Sequence, residues 1–367
     1  MAVVKAEILK ETEVLRFSRR AERAWLDSNR WAEKREILRE NAPLIDLSFG
    51  ALGKEVVSLL GRNIVSPEKI VFPNGEFKLR FPGEIEFPSS VYIIGSFPLL
   101  KDIGGLQFTG DYLKEKGVEE VTTVCSFLGF TRQDRKFIAS NGRVVEEIIS
   151  LKSIMRSLAG SVDRLIVVDP HSGKTVEYGL EFGLPVLAIS AWRYLADKVK
   201  PLLADEEVIV AGPDFGRESI ARKLADYWGY GGIVFRKERD PISGKVSFPP
   251  LTPEEIEIVA GKTVASFDDV ITKGETVDGM ADLLKDLAKQ MIIMATHGEF
   301  AEEAFENLNN SIIKKILVTD SRSPIQELDL PSIEVVSIAP FLADIIREDS
   351  GDVNFWKEPK FKGIMIE

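Results

Sequence analysis

Two adjacent acids, Asp268 and Asp269, stand at the end of an apolar run. They are followed by a turn through Gly274 toward a helix opening near Val277. Carboxylates accept hydrogen bonds from hydroxyl groups, while a glycine turn and the free amides of a helix start favour an anion. The stretch 264–276 can therefore hold a polyol and a phosphate together. A plain strand-to-helix loop whose acids cap the helix is the competing reading. Other reactive side chains also follow apolar runs: Arg132, Gln133 and Asp134; Asp169 and His171; Asp214; Lys237 and Arg239; His297. The chain has two histidines, and both follow such runs, in VVDPHSG and MATHG. One histidine at a strand end is usually structural; two of two favours a functional role for at least one.

Acids together with His171 suit Mg²⁺-assisted phosphate chemistry, because that ion takes oxygen ligands and water. Zinc is disfavoured, since there is no cysteine cluster and no His-x-x-x-His. Lys237 and Arg239, two residues apart, share one face of an extended segment. They could close over phosphate groups and neutralise developing charge, or form a solvated basic patch. No G-x-x-x-x-G-K-[ST] is present and no Gly-x-Ser-x-Gly, which excludes a P-loop kinase and disfavours a serine hydrolase.

These residues need elements to place them. Apolar runs such as VYIIGSF, VTTVCSFL, RLIVV, EEVIVAG, KTVASF, QMIIMAT and KILVT alternate with helical patterns such as RESIARKLADYWG. That alternation predicts βαβ units and largely parallel sheets. A helix is also predicted over VVEEIISLKSIMRSLAG, and a strand, turn and strand over EKIVFPNGEFKLRF. The halves look alike, so the expected architecture is α/β, with two similar doubly wound domains and sites at the carboxyl ends of strands. The expected division is a helical N-terminal extension over 1–43, domains over 44–188 and 189–340, and a tail over 341–367 that can return to the first domain. The extension reads as charged helix from about residue 5 to 41, carrying Trp25 and Trp31.

The net charge of −11 argues against a nucleic-acid surface. The single cysteine, Cys125, excludes an internal disulfide and suits a reducing compartment. The start lacks the apolar core of a signal peptide, and no apolar run is long enough to span a membrane. A cytoplasmic protein without a membrane partner is expected.

Taken together, the motifs resemble those of the ribose-phosphate diphosphokinases (phosphoribosyl pyrophosphate synthetases), shorter archaeal ones especially, over about residues 44–347. FPNGE resembles the loop that reaches a neighbouring subunit's adenine, through Phe72, Asn74 and Glu76. TRQDRK resembles the ATP-binding segment, with Arg132 and Gln133 at the contacting positions, and ISLK at 149–152 resembles I-S-A-K. DPHS resembles D-L-H-A, placing His171 near Mg²⁺ and the ATP phosphates. GPDFG resembles the turn in which Asp214 would help hold a metal ion. RKER resembles the catalytic loop, with Lys237 and Arg239 at its transition-state positions. The resemblance implies phosphoribosyltransferase-like domains, ATP as co-substrate, Mg²⁺, a role in nucleotide biosynthesis, and a homodimer or larger homo-oligomer acting on small molecules.

One departure stands out. The family's D-D-x-x-[D/S]-T-G-G-T reads DDVITKGET here. Asp268 and Asp269 are kept where ribose hydroxyls bind, and Gly274 and Thr276 where the 5-phosphate sits. Thr272 is a mild change, Lys273 replaces a threonine, and Glu275 replaces a glycine whose bare backbone cradles phosphate. A carboxylate there repels a dianion unless it turns outward or pairs with Lys273. PLLKDIGG also differs from the family's T-N-D-N. Ribose 5-phosphate is the expected acceptor. The alternatives are a 5-substituted ribosyl acceptor such as a nucleoside-diphosphate ribose, a phosphoribosyltransferase, and a non-catalytic regulatory paralogue.

Overall fold

A computed structural model describes residues 43–138, 144–145, 147–239, 246–322 and 329–351. The predicted helix over 5–41 and the tail beyond 351 lie outside the described residues. The chain divides into two compact units, one drawn from Met1–Phe137, Glu146–Ile189 and Ala339–Glu367, the other from Ile138–Val145 and Ser190–Ile338.

The first stretch contains β1 (Leu44–Asp46), α1 (Ala51–Leu60), β2 (Ile64–Val65), β3 (Glu68–Val71), β4 (Phe77–Arg80), β5 (Ser90–Phe97) and α2 (Leu100–Glu115). There follow β6 (Glu120–Leu128), β7 (Phe137–Ile138), β8 (Val144–Val145), α3 (Ser150–Ser161), β9 (Arg164–Val168), α4 (Lys174–Glu181) and β10 (Val186–Ile189). Six strands form a sheet in the order β10-β9-β6-β5-β1-β2, with every pairing parallel. β5, β6, β9 and β10 are buried along their whole length, which explains their near-continuous apolar sequences. β3 and β4 form the expected antiparallel hairpin.

The second unit contains α5 (Trp192–Val199), β11 (Val208–Gly212), α6 (Glu218–Trp228), β12 (Gly231–Val234), β13 (Glu238–Arg239), β14 (Val246–Ser247) and α7 (Pro253–Val259). It continues with β15 (Thr263–Ile271), α8 (Glu275–Leu284), β16 (Gln290–Gly298), α9 (Ala304–Leu308), β17 (Ile313–Thr319) and β18 (Ile333–Val336). Its sheet runs β12-β11-β15-β16-β17-β18, again all parallel. Alternate side chains enter separate cores: Ile209, Val264 and Ile293 face α8, while Val210, Ala265 and Ile292 join Trp192 and Leu224. That is the period of two a strand imposes. Numbered within each sheet by chain order, both units read 2-1-3-4-5-6. The expected duplicated α/β architecture is present.

The last described helix, α10 (Ala339–Gly351), belongs with the first unit. Its anchor is a buried ion pair: Arg164 on β9 places Nη2 2.6 Å and Nη1 3.0 Å from the Asp349 carboxylate. The Tyr92 hydroxyl donates to the same carboxylate at 2.8 Å.

Two boundaries differ from the sequence reading. The helix expected from residue 144 begins at Ser150, and Val144–Val145 is a strand; two β-branched residues favour extended backbone. β15 continues through both acids to Ile271, and the following helix starts at Glu275, not Val277.

Candidate functional site

In a sheet ordered 2-1-3-4-5, the crevice outside the carboxyl ends opens between the first and third strands. In the second unit these are β11 and β15. β11 leads through Pro213 and Asp214 into a tight turn, Phe215–Arg217, and then into α6. β15 brings up Asp268 and Asp269. Arg217 joins the two strand ends: its Nε lies 2.9 Å from Asp268 Oδ1 and its Nη2 2.5 Å from Asp269 Oδ1. Asp268 Oδ1 also accepts the Asp269 amide, and Asp269 Oδ1 the Val270 amide, both at 2.9 Å. Burial pushes Asp268 up to about 7, opposed by the Arg217 guanidinium and assisted by Asp269. Sequence reasoning missed Arg217. Its signal was a cation opening a helix, where the dipole disfavours positive charge.

The loop from Thr272 to Gly274 is clamped by the segment after β16. Thr272 donates its hydroxyl to Glu299 at 3.1 Å, and its carbonyl accepts the Ala301 amide at 2.9 Å. The Lys273 carbonyl accepts from the Asn307 side chain at 2.7 Å. Gly274 has φ +79°, and a Cβ there would meet Leu308 Cδ2 at 2.8 Å, so glycine is required twice over. The first helical bond of α8 runs from the Asp278 amide to the Gly274 carbonyl, 2.9 Å. The amides of Glu275, Thr276 and Val277 thus precede the helical ladder and are free to meet an anion. Glu275 and Thr276 are half-buried at this end. Of the two ways Glu275 could spare a phosphate, turning outward or pairing with Lys273, the ion pair is not formed. The Lys273 Nζ lies 3.2 Å from Glu303 Oε1.

Lys237 is ion-paired with the Asp214 carboxylate. Arg239 lies on β13, which pairs with β14; its side chain is outside the described atoms. His297 is taken up structurally, with Nδ1 2.8 Å from Ser321 Oγ in a buried position.

On the first unit, the FPNGE residues form the tip of the β3–β4 hairpin. Gly75 has φ +87°, the Phe72 amide donates to the Glu76 carbonyl at 2.7 Å, and the Asn74 side chain accepts the Glu76 amide at 3.2 Å. Phe72 is 40% exposed and Val71 64%. Arg132 and Gln133 are exposed on the loop after β6. That loop is tied to the His171 loop: Ser172 donates to Asp134 at 2.6 Å, and Tyr178 to the Asp134 carbonyl at 2.9 Å. Left-handed backbone occurs at four described non-glycine residues, Phe49, Phe130, Asp169 and Phe300. Each lies just beyond the carboxyl end of β1, β6, β9 or β16, where strain marks working loops.

No group of three or more His, Cys, Asp or Glu among the described residues could hold a metal ion alone. A single carboxylate such as Asp214 fits Mg²⁺ that brings substrate phosphates and water as its other ligands.

Family models match two stretches of the chain. The N-terminal domain of ribose phosphate pyrophosphokinase matches residues 48–161, and the phosphoribosyl synthetase-associated domain matches residues 237–352. The ribose-phosphate pyrophosphokinase of Aquifex aeolicus is 30% identical over 303 residues, covering 81% of this chain and 91% of the relative. The chain belongs to the ribose-phosphate pyrophosphokinase family. The family member from Methanopyrus kandleri is 29% identical over 82% of this chain and 96% of its own length. The phosphoribosylpyrophosphate synthetase structure from Mycobacterium smegmatis superposes with a TM-score of 0.70 at 28% identity, covering 84% of this chain and 98% of that one. Members of this family are diphosphotransferases, so the chain is placed among enzymes.

Proposed function

We propose that the protein transfers the β,γ-diphosphoryl group of ATP to the anomeric hydroxyl of ribose 5-phosphate, giving phosphoribosyl pyrophosphate and AMP. The observation that carries this reading is the second unit's crevice. There an acid pair held by Arg217 leads directly into a glycine turn and the free amides of α8. The acids accept sugar hydroxyls, and Thr272 to Thr276 enclose the 5-phosphate. Arg132, Gln133 and His171 bind ATP from the first unit. The hairpin tip, Phe72, Asn74 and Glu76, completes the adenine site of a neighbouring copy, so the active form is at least a homodimer.

The anomeric oxygen attacks the β-phosphorus in line, and the bond to the α-phosphate oxygen breaks as AMP leaves. Such a transfer asks the protein for positioning and charge neutralisation more than for covalent chemistry. Lys237 and Arg239 meet the charge that builds on the transferring group. Asp214 on the second unit and His171 on the first are each proposed to take part in Mg²⁺ binding with phosphate oxygens and water, and the ion would supply a further counter-charge. The reaction belongs to nucleotide biosynthesis in the cytoplasm; no helix among the described residues is long and apolar enough to cross a membrane.

A second reading has one observation in its favour. Glu275 opens α8 at the anion-binding amides, which suits an acceptor whose 5-phosphate is substituted. Purified protein with ATP, Mg²⁺ and a panel of 5-substituted riboses separates the two. AMP release greatest with ribose 5-phosphate supports the first reading, and release confined to extended acceptors supports the second.

A further inference from the structure

Arg217 stands where nothing local favours it. It is the N-cap residue of α6 and makes no side-chain cap, and a cation there faces the positive end of the helix dipole. The compensation comes from across the crevice, where its fork meets one oxygen of Asp268 and one of Asp269. Its own amide donates to the Asp214 carbonyl at 3.0 Å, which ties its backbone into the turn.

The contacts divide the two acids. Each Oδ1 already takes two donors, Arg217 and a backbone amide, close to what one carboxylate oxygen accepts. The Asp269 side chain is 5% exposed and that of Asp268 22%, so Asp268 is the acid turned toward the crevice. The Arg217 guanidinium opposes the burial and the neighbouring Asp269 that favour a proton on Asp268, so loss of the cation would favour that proton further. A proton there would cost the site hydroxyl-accepting capacity.

We infer that Arg217 is the positioning residue of the acceptor site: it holds both carboxylates by their inner oxygens, so that Asp268 presents its outer oxygen to a vicinal hydroxyl pair while Asp269 supports it. The inference rests on the reading that this crevice takes a ribosyl acceptor, and it adds a residue and a division of labour to that reading. The planar fork matters as well as the charge, so lysine replaces it only in part.

The test is calorimetric binding of ribose 5-phosphate and 2-deoxyribose 5-phosphate to the full chain and to Arg217→Gln and Arg217→Lys. Loss of a charge-assisted bond network predicts that Arg217→Gln weakens ribose 5-phosphate at least about tenfold. The preference for ribose over 2-deoxyribose should collapse, and Arg217→Lys should fall between. Turnover at saturating acceptor should change far less than KM. Should Arg217→Gln fail to fold, Arg217→Lys alone decides: a reduced preference supports the role, and a wild-type preference overturns it. Unchanged or tighter ribose binding by a folded Arg217→Gln would make the arginine a bystander or a plug, overturning the inference. Wild-type protein that binds neither sugar overturns it too. Intact sugar binding without AMP release contradicts only the proposed function.

Discussion

Lys273 forms its ion pair with Glu303, Nζ 3.2 Å from Oε1, and leaves Glu275, two residues away in the same loop, without a salt bridge among the described residues. Both partners of the pair are more than half exposed, so solvent screening leaves it little weight in stability. Glu275, by contrast, opens α8, where its carboxylate stabilises the helix start and opposes an incoming phosphate.

Glu275→Gln should therefore tighten ribose 5-phosphate. Two unit charges ~4 Å apart interact by about 4 kcal/mol at an effective dielectric near 20; partial exposure reduces this to a gain of roughly three- to thirtyfold. Titration calorimetry of the variant checks it. Unchanged affinity for ribose 5-phosphate, with loss of binding to a 5-extended ribose, would assign Glu275 to a 5-substituent.

Lys237 and Asp214 neutralise one another in the crevice of the second unit. If Lys237 acts on charge that builds only in the transition state, Lys237→Ala should lower kcat by roughly 10²–10³-fold. ATP affinity should stay within a few-fold, measured by nucleotide fluorescence. Turnover near wild type would remove Lys237 from catalysis.

The titration of Asp268 gives a signed pH effect. Its carboxyl is raised from 3.8 to about 7, chiefly by burial, so the folded state holds a proton that the unfolded chain has already released. The resulting stability is fully present below pH 3.8 and is lost as pH rises through about 7. Asp268→Asn, neutral throughout, should flatten the decline in unfolding free energy between pH 5 and 8, followed by urea titration. An identical slope in both proteins would contradict this.

Much of this was legible in the sequence because parallel strands buried on both faces are written as continuous apolar runs. VYIIGSF, RLIVV and QMIIMAT each became a strand, and Gly274 fell in the turn before the helix as expected, although β15 runs two residues past the acids. Strand order was not legible, since nothing local encodes which neighbour a buried strand selects. Val144 and Val145 were absorbed into a helical pattern that the downstream leucines and isoleucines supply. Arg217 escaped because its partners lie some fifty residues away on β15; only its awkward place at a helix start hinted at a distant anion. The partner of Lys273 was not legible, because the chain after β16 brings Glu303 alongside from thirty residues away.

The buried pair that anchors α10 makes a stability prediction. Both side chains of Arg164 and Asp349 are 1% exposed. Asp349→Ala removes the main carboxylate from a buried cation, leaving it Glu120 at 4.0 Å, and should cost about 3–5 kcal/mol. Replacing Arg164 by methionine and Asp349 by leucine together should recover only part of that loss, because the buried Glu120 then loses its cation. Chemical denaturation of the single and double variants distinguishes them; an Asp349→Ala midpoint equal to wild type would show that the pair does not hold the helix.

If a sugar hydroxyl attacks ATP, ¹⁸O placed on the anomeric carbon of ribose 5-phosphate follows the attacking atom. Attack on the β-phosphorus keeps the label, so phosphoribosyl pyrophosphate should carry ¹⁸O in the bridge between C1 and diphosphate and form in equal amount with AMP. Label lost from the product, or ADP in place of AMP, would contradict it.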